Sequence, residues 1–441
     1  MKQSKHNIYY SPKEVRTILE RSIDTALDGL KCYCNDPVSD FTRCRKLPAR
    51  TLIECIMSFS NYSSIGELSH FFEGRGKMPS ASALSQRRKL LDPDIFKRIN
   101  NLFVSAFDDH TTINGYHILA QDGSDVNIPF LDDKTKTEKH DAKSFCQYHV
   151  NALYDCLNKV FYDWSIDAAS KKREVNALIS ILKDRNYPQN SIFTADRGYE
   201  SYNLMAHFIE NDIKFVIRVK DIHTKVGLMT NVRTEEGAFD MRISRTLTSL
   251  QTKEIKADKE KYIFVPTTSN FDFLDETRVF YDLSFRAVRF KISEDVYETV
   301  VTNLSEEEFG TDDFKELYHY RWNEETAFNK LKYTIGLVYF HARKRKLIQQ
   351  EINAAFLMYN VSEVIIRNID LKKDKKLKLE YDYKPNFSSA VTNIRLYLRK
   401  KINMKELILR IKKFLVPQRP ERSFERNIKG QACKPLNYRT S

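Results

Sequence analysis

Residues 191–219 read SIFTADRGYESYNLMAHFIENDIKFVIRV, and this stretch decides the fold. Ser191 to Ala195 is an apolar, strand-forming run closed by Asp196-Arg197-Gly198, a turn signal. A helical segment follows near 200–211, and a second strand runs from Lys214 to Val219. Strand, helix and strand in so short a span make the unit of an α/β layer.

Working outward toward the N-terminus, His117-Ile118-Leu119-Ala120 is a short apolar strand ending at Asp122-Gly123. Residues 146–167 read as a hairpin with its turn near Asn158-Lys159. A helix at about 174–185 carries Val175, Leu178, Ile179 and Leu182 on one face. The order predicts an α/β fold with a mixed sheet. Residues 12–108 are helical, opened by Ser11-Pro12 with proline at the first helical position. Later apolar stripes are Leu52, Ile53, Ile56, Met57 and then Ile95, Phe96, Ile99, Leu102, Phe103. A helix opened by Ser80 and carrying Gln86, Arg87 and Arg88 reads two ways: a helix-turn-helix element on DNA, or a solvated basic face of a bundle.

Toward the C-terminus, residues 220–305 alternate as polar strands and predict a β-rich insertion. Helical periodicity returns from Asp312 to Tyr333, followed by a long helix from about Arg343 to Asn368. Lys372 to Lys378 reads as a solvated connection, with helices near 386–402 and 404–414 beyond it. The tail from Val416, with Pro417, Pro420 and Pro435, reads as extended. The division is 1–112 helical and DNA-binding, 113–219 and 306–370 the two parts of a core, 220–305 the insertion, and 371–441 a basic C-terminal region.

The net charge of +13 favours a polyanionic partner, most simply nucleic acid. The charge is uneven: residues 341–441 hold 25 Lys and Arg against 9 Asp and Glu, an excess of 16, so the preceding 340 residues carry −3 (13 less 16). A length of 441 residues suggests about two to three domains. The seven cysteines (Cys32, Cys34, Cys44, Cys55, Cys146, Cys156, Cys433) are odd in number and scattered, which fits a reducing compartment; their spacing argues against zinc. No signal-like N-terminus and no membrane-spanning apolar run is present, so a cytoplasmic location is expected.

Two aspartates, Asp122 and Asp196, each follow an apolar strand, the position where α/β sheets place ligands. A third acid comes from YHYRWNEETAFNKLK, residues 318–332. On a continuous α-helix, Tyr318, Arg321, Glu325 and Lys332 fall within roughly 60° of one face, whereas Glu324 lies ~100° from Glu325. That spacing ranks Glu325 above Glu324. Three carboxylates from separate segments can hold two divalent ions about 4 Å apart, and magnesium suits such an oxygen-rich site.

Tyr318, Arg321, Glu325 and Lys332 at this spacing resemble the YREK signature of bacterial insertion-sequence transposases of the insertion sequence 4 family, in the DDE superfamily. Asp122-Gly123-Ser124 and Asp196-Arg197-Gly198-Tyr199 resemble that family's first two aspartate motifs. The resemblance spans about residues 75–430, with weaker matches at Ala83, Ser85, Gln86, Arg88 and Lys89, at Thr302-Asn303-Leu304 and at Arg422-Ser423-Phe424. It implies a ribonuclease-H-like mixed-sheet core interrupted by a β-rich insertion and flanked by helical regions. It also implies that Asp122, Asp196 and Glu325 are the catalytic metal ligands, with two Mg²⁺ ions that Mn²⁺ can replace. The implied activity is cut-and-paste transposition: cleavage at terminal inverted repeats with a hairpin intermediate, then strand transfer into target DNA, by a protein that dimerises on double-stranded DNA. Tyr318, Arg321 and Lys332 would contact phosphates near a flipped base, with Tyr297 the nearest candidate for the stacking aromatic. Arg343, Lys344 and Arg345 would grip the backbone. Two other readings stay open: a non-catalytic DNA-binding derivative, and a nuclease without strand transfer.

Overall fold

Strands β1 (His117–Ile128), β2 (Ser144–Asp155), β3 (Val160–Ala168), β4 (Ser191–Ala195) and β5 (Lys214–Val219) form the centre of a large mixed sheet in the computed structural model. Their spatial order is β3-β2-β1-β4-β5. β2 is antiparallel to both β1 and β3, and β4 is parallel to both β1 and β5. This is a mixed α/β, ribonuclease-H-like arrangement. The structure describes residues 1–4, 9–43, 45–129, 136–138, 144–169, 173–222, 224, 226–234, 236–266, 268–269, 271–294, 296–371 and 381–418. Cys44, Cys433, the Lys372–Lys378 connection and the tail beyond 418, with Arg422-Ser423-Phe424, lie outside them.

β1 is longer than the sequence suggests. β2 pairs with it from Leu119 to Ile128, so Asp122-Gly123 does not end the strand on that side. On the other side the ladder does stop: the last parallel pair with β4 is Gln121 with Ala195. The stretch expected as a β-rich insertion supplies β6 (Phe239–Thr248), β7 (Phe280–Ser293) and β8 (Val296–Thr302). β8 pairs antiparallel with β5, and β7 lies between β8 and β6, so these strands continue the same sheet.

Among the described residues, five α-helices precede the sheet: α1 (Pro12–Asp28), α2 (Ala49–Met57), α3 (Ser64–Phe72), α4 (Ala81–Leu90) and α5 (Asp94–Val104). α1 starts as expected, with Ser11 capping Glu14 reciprocally and Pro12 in the first turn. α6 (Glu174–Asp184) and α7 (Tyr202–Glu210) link the core strands. The motif region holds α8 (Asp313–His319), α9 (Trp322–Asn329) and a π-helical turn, Lys330–Ile335. Then come α10 (Arg345–Arg367), α11 (Phe387–Leu398) and α12 (Met404–Lys413). Among the described residues no helix is long and apolar enough to cross a membrane.

α10 fastens the N-terminal helices to the sheet. Phe356 stacks on Trp164 of β3 with centroids 4.4 Å apart, and the Trp164 indole N–H donates to Asn353 at 2.8 Å. Asn360 accepts from the Phe161 backbone N–H at 2.8 Å and donates to Asn100 of α5 at 2.7 Å. Arg88 of α4 is buried, donating to the Glu351 carboxylate at 2.8 Å and to the Leu347 carbonyl at 2.7 Å. This corrects both readings for Arg88 alone, since Gln86 and Lys89 of the same helix are exposed. Arg88 neither faces DNA nor sits on a solvated face, because α10 supplies a buried carboxylate for it. Arg87 lies over the Phe41 ring at 4.2 Å.

Candidate active site

Asp122 and Asp196 are the residues next after the last paired register of β1 and β4, so two adjacent parallel strands deliver them side by side at one sheet edge. Asp122 accepts from the Gly123 N–H at 2.8 Å. Asp196 accepts from the Gly198 N–H at 2.8 Å and caps the short helical turn Arg197–Tyr199. Burial pushes the Asp122 carboxyl up to about 6; the Gly123 N–H and Arg321 pull it down, and Asp196 and Glu174 add to the rise. The site therefore crowds negative charge into a poorly solvated place.

The motif does not lie on one continuous α-helix. Between α8 and α9 the N–H groups of Arg321, Asn323 and Glu324 bond to carbonyls three residues back, at 3.1, 3.0 and 3.0 Å. Such bonds advance the chain ~120° per residue instead of ~100°, so the side-chain phase slips. The π-helical turn then loosens it again, and Gly336 closes that turn with φ of 117°.

Three signature residues nevertheless meet. The Arg321 Nε donates to the Tyr318 hydroxyl at 3.1 Å, and its Nη2 lies 3.5 Å from Glu325 Oε1. Arg321 also interacts electrostatically with Asp122 and Asp196. Tyr318 and Arg321 are buried, at 2% and 4% exposure, so in this arrangement neither is open to a phosphate. Lys332, on the π-helical turn, is held below its usual range by burial, with Asp125 and Asp122 acting in the opposite sense. Trp322 is exposed. Arg343, Lys344 and Arg345 are exposed at the N-terminus of α10. Tyr297 of β8 lies under the Arg289 guanidinium at 4.2 Å, and β5 and β4 separate its strand from β1.

Spacing alone ranked Glu324 below Glu325, yet the slip turns Glu324 fully inward. Neither of its carboxylate oxygens has a well-aligned hydrogen-bond partner among the described residues. Burial, and then Asp122, push its carboxyl far above the usual range, with Arg321 and the Asp122 backbone N–H opposing. Among the described residues no three His, Cys, Asp or Glu side chains converge closely enough to hold an ion as they stand. The donor set still fits a hard divalent cation: carboxylates from β1, the end of β4 and α9, one of them with both oxygens buried and no well-aligned partner among the described residues, in a poorly solvated place.

Two further residues, His149 and Glu174, escaped the sequence reading. His149 of β2 stands opposite Asp125 of β1 in register, with Nδ1 2.8 Å from Asp125 Oδ1 and Nε2 3.0 Å from Glu174 Oε1. Burial pulls the imidazolium down, but the two carboxylates outweigh it and raise His149 to about 9. Gly123 leaves the room, since a Cβ there would sit 2.3 Å from His149 Nε2. The signal was present as a cross-strand acid–histidine pair, but reading it needed the β1–β2 register.

The family described as "Transposase DDE domain" matches residues 113–361, more than half of the chain. No curated protein matches the sequence. A cryo-EM structure of a piggyBac transposase synaptic complex with hairpin DNA is similar at 11% identity, covering 97% of this chain and 91% of that one, with a TM-score of 0.43.

Proposed function

The chain belongs to the transposase DDE domain family, and from that premise we propose that it is a DNA transposase that cuts the ends of a mobile element and joins them to target DNA. The observation that carries this reading is the pair Asp122 and Asp196, delivered by adjacent parallel strands beneath a helix that bears Glu324 and Glu325. Asp122, Asp196 and Glu325 would hold the divalent ions. Magnesium, or manganese in its place, would there activate the attacking oxygen of a phosphodiester substitution and take up charge on the leaving oxygen. Arg321 orients Glu325 and offsets the aspartates' charge. Lys332 brings a partly desolvated cation beside Asp122, where a scissile phosphate would lie.

Arg343, Lys344 and Arg345 are exposed at the positive end of the α10 dipole, a basic surface suited to an anion. It supports DNA backbone binding there. Tyr297 is retained as the base-stacking candidate, and a hairpin intermediate and DNA-bound dimer belong to the same reading. The test is cleavage of the element's own terminal repeats with Mg²⁺. Wild type should nick and then join strands, and Asp122→Asn, Asp196→Asn and Glu325→Gln should each lose at least about a thousandfold. Binding without cleavage would instead mean a non-catalytic derivative, and cleavage without joining a plain nuclease.

A second reading exchanges the glutamates, favoured by the buried carboxylate of Glu324 beside Asp122, which has no well-aligned partner among the described residues. If Glu324→Gln abolishes cleavage while Glu325→Gln spares it, Glu324 is the third carboxylate.

A further inference from the structure

A cleft of about 350 Å³ opens between α5, residues 105–110, β3 and the segment before β4. Arg98, Asn101, His110, Tyr162, Arg185 and Asn186 are among its polar lining, and no Asp or Glu is among the described residues that line it. The Tyr162 hydroxyl and His110 Nδ1 are both buried without a hydrogen-bond partner among the described residues, and Tyr162 is 5% exposed. Arg98 and Arg185 are exposed; Arg98 makes no ion pair among the described residues, and Arg185 donates only to the neutral Asn211 carboxamide, at 3.3 Å. Buried polar atoms ordinarily find partners, so two orphans in one cleft beneath two guanidiniums need an explanation.

We propose that this cleft is a phosphate-binding site, separate from the aspartate edge, in which Arg98 and Arg185 take the anion's charge and Tyr162 and His110 its inner oxygens. Two guanidiniums match the charge of a phosphoryl group, and guanidinium, phenol and imidazole together offer more donors than the two oxygens of a carboxylate can accept. Burial keeps the Tyr162 phenol protonated, hence a donor, and burial together with His117 keeps His110 towards its neutral form. The location excludes the catalytic centre. The cleft meets the segment preceding Ser191, whereas Asp196 follows Ala195 at the other end of β4, about 17 Å away at strand rise. The phosphoryl group could come from a DNA backbone or from a free phosphorylated molecule.

Calorimetric titration with pyrophosphate in EDTA tests this on three proteins: wild type, Arg98→Gln/Arg185→Gln and Asp122→Asn/Asp196→Asn. Both arginines are exposed, so their replacement leaves the fold intact. Saturable binding is expected in wild type and in the aspartate variant, with at least a tenfold loss in the arginine variant. No saturable binding to wild type, unchanged affinity in the arginine variant, or loss confined to the aspartate variant would overturn the proposal. Displacement of pyrophosphate by a random-sequence duplex would identify DNA as the source; failure to displace it would identify a free phosphorylated molecule. Neither result depends on whether the protein transposes.

Discussion

Gly123 is required by a neighbour rather than by its own backbone. A methyl there would meet His149 Nε2 at 2.3 Å and Glu174 Oε1 at 2.9 Å. Gly123→Ala should therefore displace the histidine, lower stability by about 1–3 kcal/mol in denaturant unfolding, and disturb Asp122 next to it. His149 itself gives a pH signature. Its pKa rises from the usual 6.5 to about 9, so its contribution is full below pH ~6.5 and is lost as pH rises through 9. Urea unfolding at pH 6 and pH 9 should show wild type losing up to about 3 kcal/mol more than His149→Gln. Tyr162→Phe removes a buried hydroxyl that has no partner among the described residues, so its melting temperature should be unchanged or higher. At this scale the sequence was readable where a side chain's role follows from its own strand, as for Asp122 and Asp196. It was not readable for Glu324, Glu174 and His149, whose roles depend on a helical phase slip and a strand register.

The element that carries most of the tertiary structure is α10. It holds Glu351 between Arg88, at 2.8 Å, and His341, at 3.1 Å. Burial alone would raise this carboxyl, but Arg88 and then the His341 side chain and backbone N–H bring it down to about 2. Its contribution is therefore present above pH ~4.5 and disappears as pH falls toward 2. Arg88→Met should cost about 3–5 kcal/mol by stranding Glu351, whereas Arg88→Met/Glu351→Leu should be much closer to wild type. A double variant as unstable as the single would contradict that account. The helical period made α10 legible almost to its ends, as it did α6, α11 and α12. It misled in the motif region, where 3₁₀-type bonds and a π-helical turn replaced the continuous helix that the period assumes.

For the whole molecule, the βαβ unit and the hairpin sufficed to read a mixed α/β layer. That β6, β7 and β8 would extend the same sheet was not legible, because strand alternation says nothing about which edge a strand joins. The uneven charge was plain from counting, and its consequence can be measured. Replacing Arg343, Lys344 and Arg345 with Ala should weaken binding to any duplex and flatten the dependence of log K on log salt by about 2–3 units of slope. An unchanged slope would remove these residues from the DNA interface.

The position of α10 along the chain has a consequence for synthesis. Arg88, Asn100 and Trp164 all find their partners on a helix that leaves the ribosome roughly two hundred residues or more after them. Until that helix emerges, these side chains of the N-terminal helices and the first strands lack their protein partners. The packing that fastens the N-terminal helices to the sheet thus cannot set until more than four-fifths of the polypeptide has been made, and a fragment released before that point would lack it.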